Sequence, residues 1–132
     1  MAHTADVSAV LGTWRLQSYV REVLALREAV EVRGMAHITG GGLPGNLPRA
    51  LGGLGVRLYP SAWEEPRVFD FIRALGGIAE EEMRRVFNLG VGFCAVVPGS
   101  EGEKALAVLR EAGCEAWRIG EVVVSGGEVE FA

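Results

Sequence analysis

The sequence predicts an α+β fold: a layered α/β sandwich in which a mixed sheet of four or five strands is flanked by helices. Three observations carry this. Helical and strand-like apolar patterns alternate along the chain, which is the signature of a layered mixed architecture. One run, residues 91–97 (Val-Gly-Phe-Cys-Ala-Val-Val), has no polar side chain, as expected of a strand covered on both faces. The chain then closes on two strand-like segments, residues 116–124 and 128–131, joined in hairpin fashion by Ser125-Gly126-Gly127.

The elements follow in order. Residues 1–18 carry no clear periodicity. Over residues 19–32, Tyr19, Val23, Leu26 and Val30 fall at helical spacing, with Arg21, Glu22, Arg27 and Glu28 on the outward face. Residues 35–38 form a very short strand that runs into Thr39-Gly40-Gly41-Gly42-Leu43-Pro44-Gly45. A short helix is expected over residues 47–51, with Asn46 as its N-cap and Pro48 in its first turn. Residues 55–59 read as a strand and residues 60–63 as a turn. Pro66 opens a helix to residue 75, with Val68, Phe69, Ile72 and Leu75 as its apolar stripe. A second helix over residues 80–87 gathers three glutamates at its positive N-terminal end. Residues 101–112 form the last helix, closed by Gly113.

Composition narrows the function classes. With 132 residues the chain has room for one domain, and 49% hydrophobic against 23% charged residues is globular rather than disordered. A net charge of −4 argues against nucleic-acid or anionic-membrane partners. No apolar stretch approaches the roughly 18 residues of a membrane span. Cys94 and Cys114 have neither CxxC nor metal spacing and read as free thiols of a reducing cytoplasm. Glycine is the outlier: 19 residues, about twice its usual share of roughly 7%.

The strongest chemical signal is His37-Ile38-Thr39-Gly40-Gly41-Gly42. Consecutive glycines adopt backbone angles closed to other residues and leave no side chain in the way, so their N–H groups can converge on an anion. Thr39 adds a hydroxyl and Arg49 a charge suited to a phosphate. The alternative is a plain hinge or turn. Gly40, Gly42 and Gly45 also match GxGxxG, but Pro44 interrupts the turn and no long helix follows, so a dinucleotide fold is not expected. Lys104 is the only lysine in the chain, which excludes a Walker loop. His37 is a candidate acid–base group or a fixture of the loop backbone. Asn88, ahead of Leu89-Gly90-Val91-Gly92, is either a cleft residue or a helix C-cap. No catalytic triad or metal-spaced carboxylate set appears, and aspartate occurs only at Asp6 and Asp70. Trp63 and Trp117 read as packing residues.

Taken together, five blocks in register resemble the C-terminal domain of the aminoimidazole ribonucleotide synthetase (phosphoribosylformylglycinamidine cyclo-ligase) family of purine biosynthesis. They are Ala36-His37-Ile38-Thr39-Gly40-Gly41-Gly42; Asn46-Leu47-Pro48-Arg49; Trp63 with Pro66, Val68 and Phe69; Glu82-Met83 with Phe87-Asn88-Leu89-Gly90-Val91-Gly92; and Ala116-Trp117-Arg118-Ile119-Gly120. The resemblance implies a ligase that uses ATP and Mg²⁺ to close an imidazole ring on a ribonucleotide substrate. It implies a cytoplasmic homodimer in which a separate N-terminal domain holds the metal and nucleotide. Carried over, Thr39, Gly40, Gly41 and Gly42 hold the substrate phosphate, and His37, Asn46, Arg49 and Asn88 line the cleft. It also implies that the chain is inactive without that N-terminal domain; the alternative is a stand-alone binding or regulatory module of the same fold. The family enters its first C-domain helix through a Leu-x-Pro-Thr-x-Ile-Tyr-Val-like segment, matched here only at Tyr19-Val20. Residues 1–18 are therefore expected to be a leader or divergent linker, and residues 19–132 the domain.

Overall fold

The computed structural model describes residues 8–14, 19–124 and 126–132. Six strands form one mixed sheet: β1 (Ala9–Trp14), β2 (Gly34–His37), β3 (Gly55–Leu58), β4 (Phe93–Val97), β5 (Glu115–Val123) and β6 (Val129–Phe131). Their spatial order is β2-β4-β1-β5-β3-β6. All neighbours are antiparallel except β3 and β6. The helices are α1 (Val20–Ala29), the single turn α2 (Gly42–Asn46), α3 (Val68–Gly76), α4 (Glu80–Val86) and α5 (Gly102–Glu111). The predicted α+β sandwich is thus the observed one, with one strand more than the upper expectation.

Strand alternation builds a core on each face, because successive side chains point to opposite sides. Val10, Cys94, Val96, Val56, Leu58 and Ile119 pack on one face with Leu43 from α2, Leu47 from the 3-10 turn Leu47–Ala50, and Leu51 that follows it. Ala9, Leu11, Ala95, Val97 and Ala116 pack on the other with Leu26 from α1, Val30 just beyond it, and Ala105, Leu106 and Leu109 from α5. β4 is covered on both sides, as its unbroken apolar run predicts. A third, small cluster of Phe69, Met83 and Leu89 lies under α3 and α4.

Four expectations need correction. First, residues 1–18 are not all outside the fold: Ala9–Trp14 is a central strand, paired with β4 from Ala9↔Val97 to Thr13↔Phe93 and with β5 on its other edge. A strand buried on both faces shows no alternation, and Gly12-Thr13 disguises its apolar run. A Cβ on Gly12 would stand 2.9 Å from Val91 Cγ1 and 3.0 Å from an Ile119 methyl, so close approach demands glycine there. Residues 1–7 and 15–18 lie outside the described residues. Second, the terminal segments do not make a hairpin ladder. β3 already occupies the free edge of β5, so β6 pairs beyond it, parallel to β3 through Val56↔Val129 and Leu58↔Phe131. Third, Glu22 faces inward on α1 rather than outward.

Fourth, α3 presents a different stripe. Phe69 is buried, but Val68, Phe71 and Leu75, at i, i+3 and i+7, face solvent, with Phe71 64% and Leu75 74% exposed. The small cluster beneath α3 covers the side of the helix that carries Phe69 and, in part, Ile72. Contiguous exposed apolar side chains of this kind drive association. We expect the sedimentation coefficient of the chain to rise with concentration, and Phe71→Lys to abolish the rise. A concentration-independent monomer would contradict this.

Both cysteines are buried. Burial raises the Cys94 thiol well above its usual range. The folded state then keeps a proton that the unfolded state releases, so this group's contribution to stability is complete below about pH 8.5 and declines above it. Native protein should resist a thiol-labelling reagent at pH 8, with Cys94 labelling only at the rate of unfolding. Among the described residues no helix is long and apolar enough to cross a membrane.

Candidate functional site

The glycine segment leaves the edge strand β2 at a fixed point. Ile38 is buried and donates its N–H to the Gly92 carbonyl at 2.9 Å, anchoring the loop base to the chain entering β4. The backbone then turns sharply. Gly41 (φ +98°) and Gly42 (φ +62°) are both left-handed, and Gly42 N–H closes the turn onto the Thr39 carbonyl at 3.1 Å. A Cβ at Gly42 would lie 2.3 Å from the Arg84 carbonyl and 2.8 Å from the Phe87 carbonyl. The loop is therefore pressed against the C-terminal end of α4, and only glycine fits.

Asn46 locks this shape. It is 7% exposed, and its side-chain Nδ2 donates to the carbonyls of Thr39 (3.3 Å), Gly40 (3.3 Å) and Gly42 (2.7 Å), while Thr39 Oγ1 donates to its Oδ1 at 3.4 Å. It stands at the N-cap position of the 3-10 turn Leu47–Ala50, as the sequence predicts, but its side chain makes no capping bond there because it is drawn back to the loop carbonyls. The consequence is directional. In a trans peptide the carbonyl and the following N–H point opposite ways. With the Thr39 and Gly40 carbonyls drawn inward to Asn46, the Gly40 and Gly41 N–H groups are turned away from it. Among the described residues neither donates to a protein acceptor. Nothing lies within 4 Å of a Cβ built on Gly40, so the approach to these amides is open.

Asn88 stands beside the same loop. It lines a cavity of about 260 Å³ together with Ile38, Thr39, Phe69, Val86 and Phe87. Its Oδ1 accepts the Gly90 N–H at 2.9 Å, which holds Leu89 (φ +54°) and Gly90 (φ +100°) in a left-handed turn. Trp63 Nε1 donates to the Leu89 carbonyl at 3.0 Å and fixes that turn from beneath, so Trp63 is a packing residue with a polar handle. Nothing in the sequence showed this bond, since the two residues are 26 positions apart.

Two predicted cleft residues are placed apart from this cavity. His37 pairs across the sheet with Phe93, lies edge-on to the Tyr19 ring at 6.1 Å, and lines an apolar groove between α1 and β2 with Tyr19, Val23, Leu24 and Met35. Its imidazole makes no hydrogen bond among the described residues. Arg49 is exposed on the 3-10 turn, and no bond ties it to the glycines. Sequence adjacency put His37 beside the loop, but alternation along β2 turns it to the α1 side of the sheet.

Similarity to known proteins bears on the family and the fold. Residues 7–131 match the family described as "AIR synthase related protein, C-terminal domain". The phosphoribosylformylglycinamidine cyclo-ligase of Cyanothece sp. is 49% identical over 115 residues, covering 86% of this chain and 31% of the relative. The enzyme of the same name from Sorangium cellulosum is 46% identical over 133 residues, covering 96% of this chain and 38% of the relative. The chain thus spans about a third of the length of these relatives. Among solved structures, the hydrogenase maturation protein HypE superposes with a TM-score of 0.73 at 21% identity, covering 94% of this chain and 49% of that one. T. maritima PurL complexed with AMPPCP superposes at 0.57 and 14% identity, covering 96% of this chain and 23% of that one. At such identities the structures speak for the fold alone. The match across nearly all of its length, on top of the five sequence blocks, places this chain in the family of AIR-synthase-related C-terminal domains.

Proposed function

We propose that this chain is the substrate-closing half of a phosphoribosylformylglycinamidine cyclo-ligase of purine biosynthesis, holding the ribonucleotide phosphate on the Gly40 and Gly41 amides. The observation that carries the reading is the Asn46 lock. One buried carboxamide gathers successive loop carbonyls and so leaves two successive N–H groups free of protein acceptors and facing outward. Such a nest of amides suits a doubly negative phosphate ester. Thr39, whose hydroxyl is held only at 3.4 Å by Asn46, and Asn88 across the cavity add polar groups to the same cleft. Gly42 supports the loop rather than the ligand, because its N–H is already used within the turn.

ATP and Mg²⁺ belong to this reading as the supply of chemical activation, and the residues present here do not fit a metal. Among the described residues no three His, Cys, Asp or Glu side chains converge. Metal and triphosphate are assigned to a separate N-terminal domain, as is homodimer formation, in a cytoplasmic enzyme. The residues of this chain bind and orient the substrate and shield it from water.

The test is an amide-resolved NMR titration of the chain with ribose 5-phosphate, followed by the ribonucleotide substrate. The Gly40 and Gly41 N–H resonances should move most and Gly42 least, with affinity in the millimolar range, about −4 kcal/mol. ATP-dependent ring closure should be absent for the chain by itself and appear when the N-terminal domain is supplied. Shifts confined to surface arginines, or turnover by the chain alone, would refute the assignment.

A further inference from the structure

β6 is an outer strand of the sheet, and only one of its edges is used. On the β3 side, Val56 N–H donates to the Glu128 carbonyl at 3.0 Å and Ala132 N–H donates to the Leu58 carbonyl at 2.8 Å. Main-chain groups alternate sides along a strand. The N–H and C=O groups of Val129 and Phe131 therefore point away from β3, to the open edge. Among the described residues none of these four groups is bonded. The side chains of the same two residues turn to the face that carries α2. There they line a groove of about 590 Å³, walled by Glu80, Glu81, Arg84 and Arg85 of α4.

Arg84 is set for an acid in that groove. Its guanidinium lies over the Phe131 ring at 4.3 Å, which orients the plane of the fork. Its one ion pair among the described residues is with Glu80, 3.7 Å from Nε, and Glu80 already holds Arg73 through both oxygens. We infer that β6 and α4 form a docking groove for an extended segment of a partner chain, added antiparallel to β6, with an acidic side chain over Phe131 and an apolar one over Val129. Directly opposite side chains of an antiparallel pair share a face, so the segment reads acid, any residue, apolar. The acid opposite Phe131 reaches the Arg84 fork, and the apolar residue opposite Val129 covers the groove floor. The residue between them stands beside Glu130, which favours a lysine there. Glu80 and Glu81 line the same groove, so it admits one acid and not an acidic run. A second copy of this chain is a poor occupant. Two β6 strands paired about a two-fold axis would set Glu130 against Glu130 and leave each Arg84 facing Val129. The groove shares no lining residue with the Thr39–Asn88 cavity, and the inference does not rest on the phosphate reading.

The probe is the blocked peptide acetyl-Thr-Glu-Lys-Val-Thr-amide, titrated into the full chain and followed by amide-resolved NMR. The Val129 and Phe131 N–H resonances should shift saturably while those of Gly40 and Gly41 stay in place. Replacing the peptide's Glu by Gln should weaken binding about tenfold, as loss of a charge-assisted hydrogen bond does. The same replacement should cost nothing further against Arg84→Gln protein, which keeps its backbone against Gly42. Methylating the peptide's Glu and Val backbone nitrogens removes the two donors that face β6 and should abolish binding. Methylating the Lys backbone nitrogen, which points away, should leave it intact. Equal binding by the two methylated peptides would reduce the contact to surface ion pairing and overturn the inference, as would an absence of shifts at Val129 and Phe131. Shifts of those two amides that follow chain concentration without peptide would give the edge to a second copy and overturn it equally.

Discussion

Asn46→Asp is expected to lower the stability of the chain by about 3 kcal/mol or more, although the two side chains have nearly the same shape. The Nδ2 group donates to three loop carbonyls in the parent, at 2.7, 3.3 and 3.3 Å. Aspartate removes both donor hydrogens and sets a carboxylate against those same carbonyl oxygens in a site only 7% exposed. Losing a buried hydrogen bond and leaving its acceptor unsatisfied costs about 1–3 kcal/mol, and an unpaired charge costs more. The pH dependence identifies the cause. The carboxyl surrounded by carbonyls has a raised pKa in the folded state. Its protonated form, which regains one donor, is therefore favoured there. The penalty should shrink below about pH 4 and grow as pH rises through the folded value. Urea denaturation of parent and variant at pH 3.5, 5 and 7 measures this, and a pH-independent difference would mean that Asn46 acts by packing alone. The Gly40 and Gly41 amides should lose their common orientation with the lock, so phosphate-induced shifts should vanish from both.

Gly42→Ala and Gly40→Ala should differ in kind, although the two residues are two positions apart. At Gly42 the added methyl would sit 2.3 Å from one backbone carbonyl and 2.8 Å from another, at φ +62°. Backbone cannot step aside as a side-chain tip can. Overpacking of about 1–3 kcal/mol adds to a left-handed penalty of roughly 1–2 kcal/mol, for about 2–5 kcal/mol in all. Loop and α4 should separate, and the denaturation midpoint should fall accordingly. At Gly40 a Cβ meets nothing within 4 Å, so stability should change by less than about 1 kcal/mol. That methyl stands in the open approach to the amides, and phosphate affinity should fall several-fold. Equal stability loss in both variants would contradict the packing, and unchanged binding in Gly40→Ala would remove the loop from the proposed phosphate site.

The legibility of this chain in its sequence divides along physical lines. Local signals were reliable. The apolar run at residues 91–97 marked a strand with two covered faces, and Gly113 marked the end of α5 at a left-handed position. The triple glycine marked a backbone conformation that other residues do not adopt. Pairwise and long-range choices were not readable. Whether β6 pairs with β5 or β3 depends on which edge is already taken, and β1 carries no alternation because both its faces are covered. The same limit applies at the site. Asn46 stood in plain view at the cap position, but its side chain serves as a lock because folding brings the Thr39, Gly40 and Gly42 carbonyls within its reach. Trp63 and Leu89 meet only because the sheet brings distant segments together.

By itself, then, the sequence determined what its local chemistry dictates: an α+β layering, a glycine turn able to present amides, and the block pattern of one family. Tertiary structure alone decided which amides stay free, that His37 and Arg49 stand apart from the Thr39–Asn88 cavity, and that Glu22 turns inward beside Thr13. The reason is that backbone propensity acts over a few residues. Burial and hydrogen-bond satisfaction are settled only when segments far apart in the chain compete for the same space.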